Sequence, residues 1–478
     1  MGRSVSLSRS HVRPAPVPVN FEHLFSDLGK RRIRVALTGA NGGFGRTFLA
    51  QCRMAPHVEL AVLCDRDLEG LAAGVRAAGF PESRIHVCAT EADARRAPEG
   101  MALVPDADWL EHFHHDMVIE ATGAPEASVA IAESALRRGI HVGMVTKETD
   151  SVAGPWLNQV ALDHGVVYTT VEGDQPANLV GLVTWARVLG FEIVAAGKAS
   201  EHDFVYHARD KRLTHAGVSR PVSLEGRWHL GHDVRATLAE RRAALARFPL
   251  AATPDYCEMN VVANSTGLEP ACATLTYPPC RTAELADVFV PVADGGVLEK
   301  TGVVDVFNAL RRDDEASFAG GVFVVVRCTD RAVWRLLAEK GHVVGRSGKY
   351  ACIYAPFHLM GLESLTTVYS AVLHGRSSGS AAQRLNAVMV ARARRDLAAG
   401  ETLAMGGHMH DIESVSPRLV PARQASGLAP YYLAADKRLA RAVRAGEDIA
   451  VEALDLTGSA LYRAWQQQTR TATKGEAR

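Results

Sequence analysis

The sequence lacks paired cysteines and a net charge, and each absence excludes a class of protein. Its eight cysteines stand singly along the chain, and none belongs to a CxxC pair. That spacing suits neither a zinc site nor a dense disulfide framework, so we expect reduced thiols in a cytosolic protein. Because 53 basic residues balance 53 acidic ones, no overall field recruits nucleic acid or an acidic membrane.

The sequence also lacks a long apolar run and a secretory signal. No apolar stretch approaches the ~20 residues that a bilayer crossing needs. The N-terminal segment is rich in Arg, Ser and Pro and has no apolar signal-peptide core. We therefore expect a cytoplasmic chain without a membrane partner, which opens with a flexible arm over residues 1–30. A transit peptide and an oligomer-wrapping arm are the alternatives for this segment.

The size and the patterning predict several domains of the α/β class. At 478 residues and 47% hydrophobic content, the chain exceeds the roughly 100–200 residues of one domain. Apolar strands alternate with helix-length segments over residues 31–175, which predicts a doubly wound parallel Rossmann sheet that binds a dinucleotide. We assign residues 176–380 to a central α+β catalytic and oligomerisation domain, and residues 381–478 to a small C-terminal α+β domain.

Four stretches beyond the Rossmann domain carry specific predictions. Residues 199–254 are polar and basic with little periodicity, which indicates a covering loop or a partly disordered insertion. The polar residues of segment 257–268 are spaced as on one face of a strand. Residues 391–403 and 437–454 each predict an Ala-rich helix before a turn and a short strand.

A glycine-rich loop follows the first predicted strand and precedes a helix. The cofactor-binding candidates in it are Gly39, Asn41, Gly42, Gly43, Phe44 and Gly45. Glycine is needed where the chain turns tightly and where backbone touches a pyrophosphate, and the helix N-terminus offers free N–H groups. An acidic residue twenty positions beyond the last glycine agrees with this interpretation. The alternative is a structural turn that binds nothing.

Four further residues are predicted to contact the cofactor. Asp65 ends the second strand, where a carboxylate accepts hydrogen bonds from the adenosine ribose and favours NAD. Arg66, with Arg46 nearby, could hold a 2′-phosphate instead, so the residues leave NAD and NADP both open. Arg66 is otherwise a solvated loop residue. Thr122 and Gly123 follow a later strand, and the carboxyl ends of strands border the ligand crevice in such a sheet.

Five residues are candidates for catalysis, and three of them have a specific alternative role. Lys198 ends a strand, where a lysine can exchange a proton with the substrate, especially if burial lowers its pKa; the alternative is ion pairing. Glu172 and Asp174 end another strand and could orient hydroxyl groups, although Asp174 could instead cap a helix. Lys147 lies at the same sheet edge, either on the nicotinamide or substrate side or on the surface. Glu258 is placed to face the site from segment 257–268.

The histidine pairs carry no metal assignment. Histidines 112, 114 and 115, and likewise 408 and 410, are spaced so that a strand would present them on one side. We see no matching set of carboxylate or thiolate partners for either group. We therefore assign no metal ligand and leave a divalent cation open.

The chain resembles a known family in the order of five segments. These are GANGGFGRTFLAQ, VIEATGAPEA, GVVYTTVEGDQPA, GFEIVAAGKASEHDFVYH and ANSTGL. Over about residues 31–465 the chain resembles the homoserine-dehydrogenase-like oxidoreductases with a C-terminal SAF-type domain. Within them it is most similar to the 1-deoxy-D-xylulose 5-phosphate reductoisomerase-like (DRL) proteins, and EGDQPA followed by AAGK is the distinctive pair.

The resemblance implies a Rossmann domain, a central catalytic domain with dimer-forming surfaces and an SAF-like C-terminal module. It also implies NADPH as cofactor and, for the best-known activity, rearrangement plus reduction of a phosphorylated ketose. The roles of Lys198, Glu172, Asp174 and Glu258 carry over by motif only. What the resemblance implies is a reaction class rather than one substrate.

These observations predict an NAD(P)-dependent oxidoreductase that acts on a small hydroxylated carbonyl compound, phosphorylated or not, with ketose-phosphate reductoisomerisation as one form. The alternatives are a homoserine-type dehydrogenase without isomerisation and a non-catalytic dinucleotide- or sugar-binding module. A homodimer or homotetramer is the expected assembly.

Overall fold

The computed structural model describes the backbone of residues 20–476 and the side chains of residues 20–470. Most of the predicted flexible arm, residues 1–19, lies outside the described residues. None of the helices in the described part of the chain combines the length and the apolar character that a bilayer crossing requires.

The end of the predicted arm packs against the fold. Phe21–Leu24 form a one-turn helix, α1. Phe25 follows it, is buried, and makes an edge-on ring contact with Tyr369 at a centroid distance of 5.5 Å. Residues 20–30 are therefore not the free arm that the sequence predicts, because an aromatic side chain anchors them.

A seven-stranded parallel sheet forms the first part of the fold, as the alternating pattern predicts. Its strands are β1 (Ile33–Thr38), β2 (Val58–Cys64), β3 (Ile85–Val87), β4 (Met101–Val104), β5 (Met117–Glu120), β6 (His141–Met144) and β7 (Tyr168–Thr170). The strand order is β3-β4-β2-β1-β5-β6-β7, and neighbouring strands are parallel. The chain changes direction across the sheet between β4 and β5, so the topological switch point lies beside β1. Strand β4, a short fully buried run, is absent from the prediction.

Helices cover both faces of this sheet. They are α2 (Gly43–Met54), α3 (Leu68–Ala77), α4 (Glu91–Arg96), α5 (Pro125–Arg137) and α6 (Lys147–Asp163). The next helix, α7 (Gln175–Val188), follows β7 and packs against the second sheet. Alternate residues of β1 belong to separate cores: Val35 and Leu37 pack with α2 and α3, while Ala36 packs with α5 and α6. Burial on both faces explains why the strands read as continuous apolar runs.

A mixed ten-stranded sheet forms the second part. Its strands are β8 (Ile193–Ala199), β9 (Phe204–His207), β10 (Arg212–His215), β11 (Val218–Pro221), β12 (Glu269–Pro270), β13 (Pro279–Cys280), β14 (Val303–Arg312), β15 (Val322–Arg327), β16 (Val343–Val344) and β17 (Tyr350–Ala355). The helices are α8 (Val234–Ala244), α9 (Thr253–Thr266), α10 (Leu285–Val288), α11 (Arg331–Glu339) and α12 (Ser364–His374). Strand β8 lies between β14, which is parallel to it, and β15, which is antiparallel.

The prediction of an irregular loop or insertion over residues 199–254 is wrong. This stretch forms β9, β10, β11 and α8 around a small core that includes Phe204, Leu213, Trp228 and Leu245. The strands are only four residues long and β11 is exposed throughout, so their alternation is too brief to stand out from the polar composition.

The strand interpretation of segment 257–268 is also wrong, because α9 occupies Thr253–Thr266. Nearly every residue of this helix is buried. A helix buried on all sides has no apolar stripe, so its period is not visible in the sequence. In a helix the residues three apart share a face, which pairs Glu258 with Asp255.

The third part contains β18 (Ala387–Ala393), β19 (Met405–Gly406), β20 (Asp411–Ile412), β21 (Val415–Pro421) and α13 (Ala460–Glu476). The two Ala-rich segments predicted as helices form none. They pair with each other instead, through bridges between Leu397 and Val443 and between Thr402 and Arg438. Tertiary pairing here overrides the helix propensity of Ala, Leu and Arg. SAF-like character of this part stays a prediction.

One helix returns from the predicted central domain to the Rossmann part. Leu365, Val368 and Ala371 of α12 belong to the same core as α2 and α3. The two parts therefore share a continuous interior, and the predicted boundary between residues 175 and 176 does not separate them.

The buried Arg241 on α8 provides a stability test for the corrected segment. Its guanidinium donates to both oxygens of Glu284 (2.7 and 3.0 Å) and to the carbonyl of Trp228 (2.8 Å). We expect Arg241→Ala to lower the free energy of unfolding by about 3–5 kcal/mol, because it leaves a buried carboxylate without its partner. Guanidinium denaturation measures this. Arg235→Ala, an exposed position on the same helix, should change it by about 0.5 kcal/mol or less; equal effects would contradict the prediction.

Candidate active site

The glycine loop lies at the switch point between β1 and α2. Gly39 has a left-handed backbone (φ +63°), and a Cβ there would lie 2.1 Å from the carbonyl oxygen of Ala121. A Cβ on Gly45 would lie 2.4 Å from the carbonyl oxygen of Ala40. Both positions therefore require glycine, the first because of its φ as well as its neighbours.

The first turn of α2 leaves donors free. Among the described residues, the N–H groups of Gly43, Phe44 and Gly45 make no hydrogen bond, as expected for the start of a helix. A Cβ on Gly43 would meet open space. Free N–H groups, open space and the positive end of the helix dipole together suit a phosphate anion.

Asp65 follows β2 with its carboxylate engaged by backbone groups. One oxygen accepts a hydrogen bond from the N–H of Asn41 (3.0 Å) and the other from the N–H of Asp67 (3.1 Å). Arg46 donates to the side-chain oxygen of Asn41 (3.1 Å), and Arg66 is exposed. Acidic and basic groups therefore both border this end of the crevice.

Thr122 and Gly123 form the turn directly after β5. The buried Glu120 carboxylate accepts hydrogen bonds from the N–H (3.0 Å) and the hydroxyl (2.6 Å) of Thr122. Gly123 has a left-handed backbone (φ +65°) and donates its N–H to Thr146 Oγ1 (3.0 Å). The turn thus connects the ends of β5 and β6, and Lys147 follows at the start of α6.

A buried charge cluster forms where α9 packs near β8. The Lys198 side chain, on β8, is 0% exposed. Its ammonium contacts Asp255 (2.8 Å), Glu201 (3.1 Å) and Glu258. Asp255 and Glu258, both on α9, are also fully buried. Three carboxylates therefore surround one ammonium group.

Lys147 joins this cluster from the crevice side. Its ammonium contacts Oε1 of Glu258, while Lys198 contacts Oε2 of the same carboxylate. The Lys147 side chain is 23% exposed, whereas the Lys198 side chain is not exposed at all. Of the two lysines, Lys147 is therefore the one that a ligand in the crevice can touch.

The carboxylates keep both lysines charged. Burial acts to lower the pKa of Lys198, but Asp255, Glu258 and Glu201 together raise it above its ordinary value. Burial likewise opposes the ammonium of Lys147, and its pKa is raised chiefly by Glu258. The pKa of Lys198 is therefore not lowered overall, because the neighbouring negative charges outweigh desolvation.

Asp174 and Glu172 have separate surroundings. Asp174 caps α7 by accepting a hydrogen bond from the N–H of Gln175 (3.0 Å). Burial raises the pKa of Asp174, and the charge of Lys147 opposes that rise. Glu172 accepts a hydrogen bond from the hydroxyl of Thr366 on α12, and burial raises its pKa. Asp174 thus lies within electrostatic reach of the cluster, while Glu172 is engaged with α12.

The sequence interpretation missed three members of the cluster. Asp255 would have been found had the segment been interpreted as a helix, because it precedes Glu258 by three residues. Glu201 follows Lys198 by three residues in AGKASE. Gln175 is the third. When its side-chain amide is turned so that the nitrogen faces Glu258, this nitrogen donates to both oxygens of Glu258 (3.0 and 2.7 Å).

The carboxylate oxygens of the cluster are also candidate ligands for a divalent cation. Oxygen atoms of Glu201, Asp255 and Glu258 lie within 4.8 Å of one another, and carboxylate oxygens are ligands that Mg²⁺ accepts. The Lys198 ammonium contacts all three carboxylates and so lies among the oxygens that a cation would use, but its single positive charge offsets only one of three negative charges.

The fold and the site combine a dinucleotide-type parallel sheet with a buried cluster of charged groups. Residues 173–364 match the model of a family described as oxidoreductase DRL, catalytic domain. This range contains Asp174, Lys198 and Glu258, while Lys147 precedes it. The predicted resemblance to the DRL oxidoreductases is therefore confirmed over this range.

Solved structures similar to the chain are distant. A myo-inositol dehydrogenase from Corynebacterium glutamicum ATCC 13032 is 18% identical with a TM-score of 0.24, over 38% of this chain and 48% of that one. A DOX-P reductoisomerase with fosmidomycin and magnesium is 17% identical with a TM-score of 0.30, over 50% and 58%. A hyperthermophilic archaeal homoserine dehydrogenase in complex with NADPH is 12% identical with a TM-score of 0.35, over 72% and 98%.

The chain spans about half the length of the first structures that it matches, from 45% to 49%. No curated protein matches the sequence significantly.

The contact between Glu258 and the Lys147 ammonium predicts the chemical reactivity of Lys147. We expect Glu258→Gln to lower the pKa of Lys147, because the variant removes a carboxylate charge that favours the ammonium. At about pH 8 the free amine is then more abundant, and acylation of Lys147 should accelerate about tenfold for each unit of pKa lost. Mass spectrometry of the peptide that contains Lys147 measures the rate. Glu172→Gln is the matched control, because Glu172 contacts α12 instead. Equal acylation rates of Lys147 in both variants would contradict the prediction.

Proposed function

We propose that the chain transfers a hydride between a nicotinamide dinucleotide and a small hydroxylated carbonyl compound, with Lys147 exchanging the proton at the substrate oxygen. One observation carries the proposal. A partly exposed ammonium stands at the edge of the dinucleotide crevice and is held by the fully buried Glu258. Lys147 would also favour a substrate that carries an anionic group, such as a phosphate.

The crevice suits a dinucleotide laid across the switch point. Gly43, Phe44 and Gly45 would hold the pyrophosphate through their free N–H groups, with the adenosine ribose toward Asp65 and the nicotinamide half toward the ends of β5 and β6. When bound, the cofactor supplies or accepts the hydride. NADP is favoured, with NAD as the alternative, because both Asp65 oxygens already accept backbone N–H groups and the Arg66 side chain is exposed on the surface.

Lys147 supplies the proton in the direction of reduction. Its ammonium donates a hydrogen bond to the carbonyl oxygen, and that oxygen gains negative charge as hydride reaches the carbon. The proton then passes from nitrogen to oxygen, and the C=O bond becomes an alcohol. The raised pKa keeps Lys147 charged before reduction, and the neutral amine left after reduction regains a proton from solvent. In the direction of oxidation, the ammonium first releases a proton to solvent, and the neutral amine then accepts the proton of the alcohol.

Lys198 acts through Glu258 in this proposal and does not meet the substrate. Its fully buried ammonium fixes one oxygen of Glu258 while the other oxygen faces Lys147. Lys198 is therefore a positioning residue. Asp174 adds negative charge near Lys147 and could accept hydrogen bonds from substrate hydroxyls, whereas Glu172 would shape the crevice through its contact with α12.

Rearrangement plus reduction of a ketose phosphate is the finer form of the proposal, and the DRL match supports it. A homoserine-type dehydrogenase would give a product with an unchanged carbon skeleton, so NMR of the product separates the two. A non-catalytic module would bind dinucleotide and turn over nothing. A divalent cation, a homodimer or homotetramer, and a cytoplasmic location stay predictions.

The test is a fluorescence titration with NADPH and with NADH, followed by NMR of reaction mixtures. The mixtures pair each dinucleotide with a panel of polyols, keto-sugars and their phosphates, with and without Mg²⁺. We expect tighter binding of NADPH and turnover of at least one panel compound. Binding of neither dinucleotide would overturn the proposal.

Gly43→Asp tests the pyrophosphate position. The side chain would point into open space, and a carboxylate in the first turn suits the helix dipole, so folding should be kept. The same charge would repel the pyrophosphate, and we expect the Kd of NADPH to rise about tenfold or more. Gly43→Asn, of nearly the same shape without the charge, is the matched control. If both variants bind alike, charge at this position does not matter and the assigned cradle is wrong.

Lys147→Met tests the proton transfer. On the panel compound that turns over, we expect kcat to fall roughly 10²–10⁴-fold, as for loss of a general acid–base group. The Kd of NADPH should stay within about twofold, because the cofactor cradle is on other elements. Lys340→Met, at an exposed lysine after α11, is the control. Unchanged kcat in Lys147→Met would remove this lysine from the mechanism.

A further inference from the structure

A hairpin of the C-terminal part reaches the crevice of the Rossmann part. This hairpin, residues 405–412, comprises β19, β20 and the loop between them. His410 in its loop places Nδ1 2.7 Å from Oε1 of Glu148 on α6. The Cε1 atom of the same ring would lie 2.9 Å from a Cβ on Gly123. One imidazole therefore covers the turn after β5 and pairs with the helix that begins at Lys147.

The next residue, Asp411, connects the hairpin to helix α9. Asp411 accepts a hydrogen bond from the hydroxyl of Thr253, at the start of α9. Helix α9 carries Asp255 and Glu258, and α6 carries Lys147. The 405–412 hairpin therefore ties together the two helices whose charges meet in the site.

The backbone of His410 has a conformation that L residues rarely adopt. Its φ is +49°, in the left-handed region that a non-glycine residue enters at a cost. Such residues persist where their surroundings fix them, and they concentrate at ligand sites. Here the contacts to Glu148 and Gly123 fix the ring.

One ring nitrogen of His410 is held and the other is free. Within the described part of the chain, Nε2 has no hydrogen-bond partner, and the side chain is 35% exposed. The charged groups around it are Glu148 and Lys147 on α6 and Asp411 on β20. The hydrogen bond and charge of Glu148 raise the pKa of His410, against burial and Lys147. The ring thus keeps a proton on Nε2 to a higher pH than an ordinary histidine.

We propose that His410 binds the nicotinamide half of the dinucleotide by donating its Nε2–H to ribose or phosphate oxygens. This inference rests on the proposed function, because it requires a dinucleotide across the switch point. With the adenosine half toward Asp65, the other half passes β5, and there His410 lies over Gly123. The C-terminal part is then a component of the cofactor site.

His410→Asn tests this contact with little change in the backbone, since asparagine tolerates the left-handed region. We expect the Kd of NADPH to rise about tenfold, because the variant loses a hydrogen bond from a charged donor to the cofactor. The Kd of 2′,5′-ADP, which carries only the adenosine half, should stay at the wild-type value. His408→Asn, an exposed residue of the same hairpin, should leave both constants unchanged.

The pH profile separates a contact from a structural role. In the wild type, the Kd of NADPH should rise relative to that of 2′,5′-ADP as the pH rises through the pKa of His410, because the Nε2 proton is lost. His410→Asn should abolish this difference. Unchanged NADPH binding in His410→Asn, or equal losses for NADPH and 2′,5′-ADP, would overturn the inference and leave the proposed function intact. A wild type that binds neither dinucleotide would overturn both.

Discussion

The site depends on one carboxylate that lies between two ammonium groups. Glu258 has no exposed surface, and an ionised group buried there costs several kcal/mol unless its partners are close and well placed. Lys147 and Lys198 supply those partners, one at each oxygen. Because the three residues come from α6, β8 and α9, charge compensation holds these elements in register. It also gives the two lysines different tasks, since only Lys147 borders the crevice.

Three parts of the chain converge on this arrangement. The Rossmann part provides the glycine loop and Lys147, and the mixed sheet provides Lys198 with the helix that packs on it. The α12 helix returns to the Rossmann core, and the 405–412 hairpin closes over Gly123. A cofactor bound along the sheet edge would therefore contact residues that are far apart in the sequence. The C-terminal part would contribute to this site through its 405–412 hairpin.

Prediction from the sequence was most successful where the signal is local. The parallel sheet, the glycine loop and the strand ends at Asp65 and Lys198 follow from short apolar runs and the residues that end them. It failed where local pattern and tertiary context disagree. Segment 257–268 is a helix buried all round, so it shows no period. Residues 199–254 fold on four-residue strands, and the Ala-rich stretches near 391–403 and 437–454 pair with each other instead of forming helices.

The sequence by itself determined the fold class and the identity of most charged groups in the site, because strand patterning and strand-end residues are encoded within a few positions. Only the tertiary structure decided which charges meet. The packing of α9 near β8 places Glu258 between two lysines. It also brings Asp255 to the same Lys198 ammonium that Glu201 contacts. Electrostatic effects depend on distance in space and on burial, and neither can be read from distance along the chain.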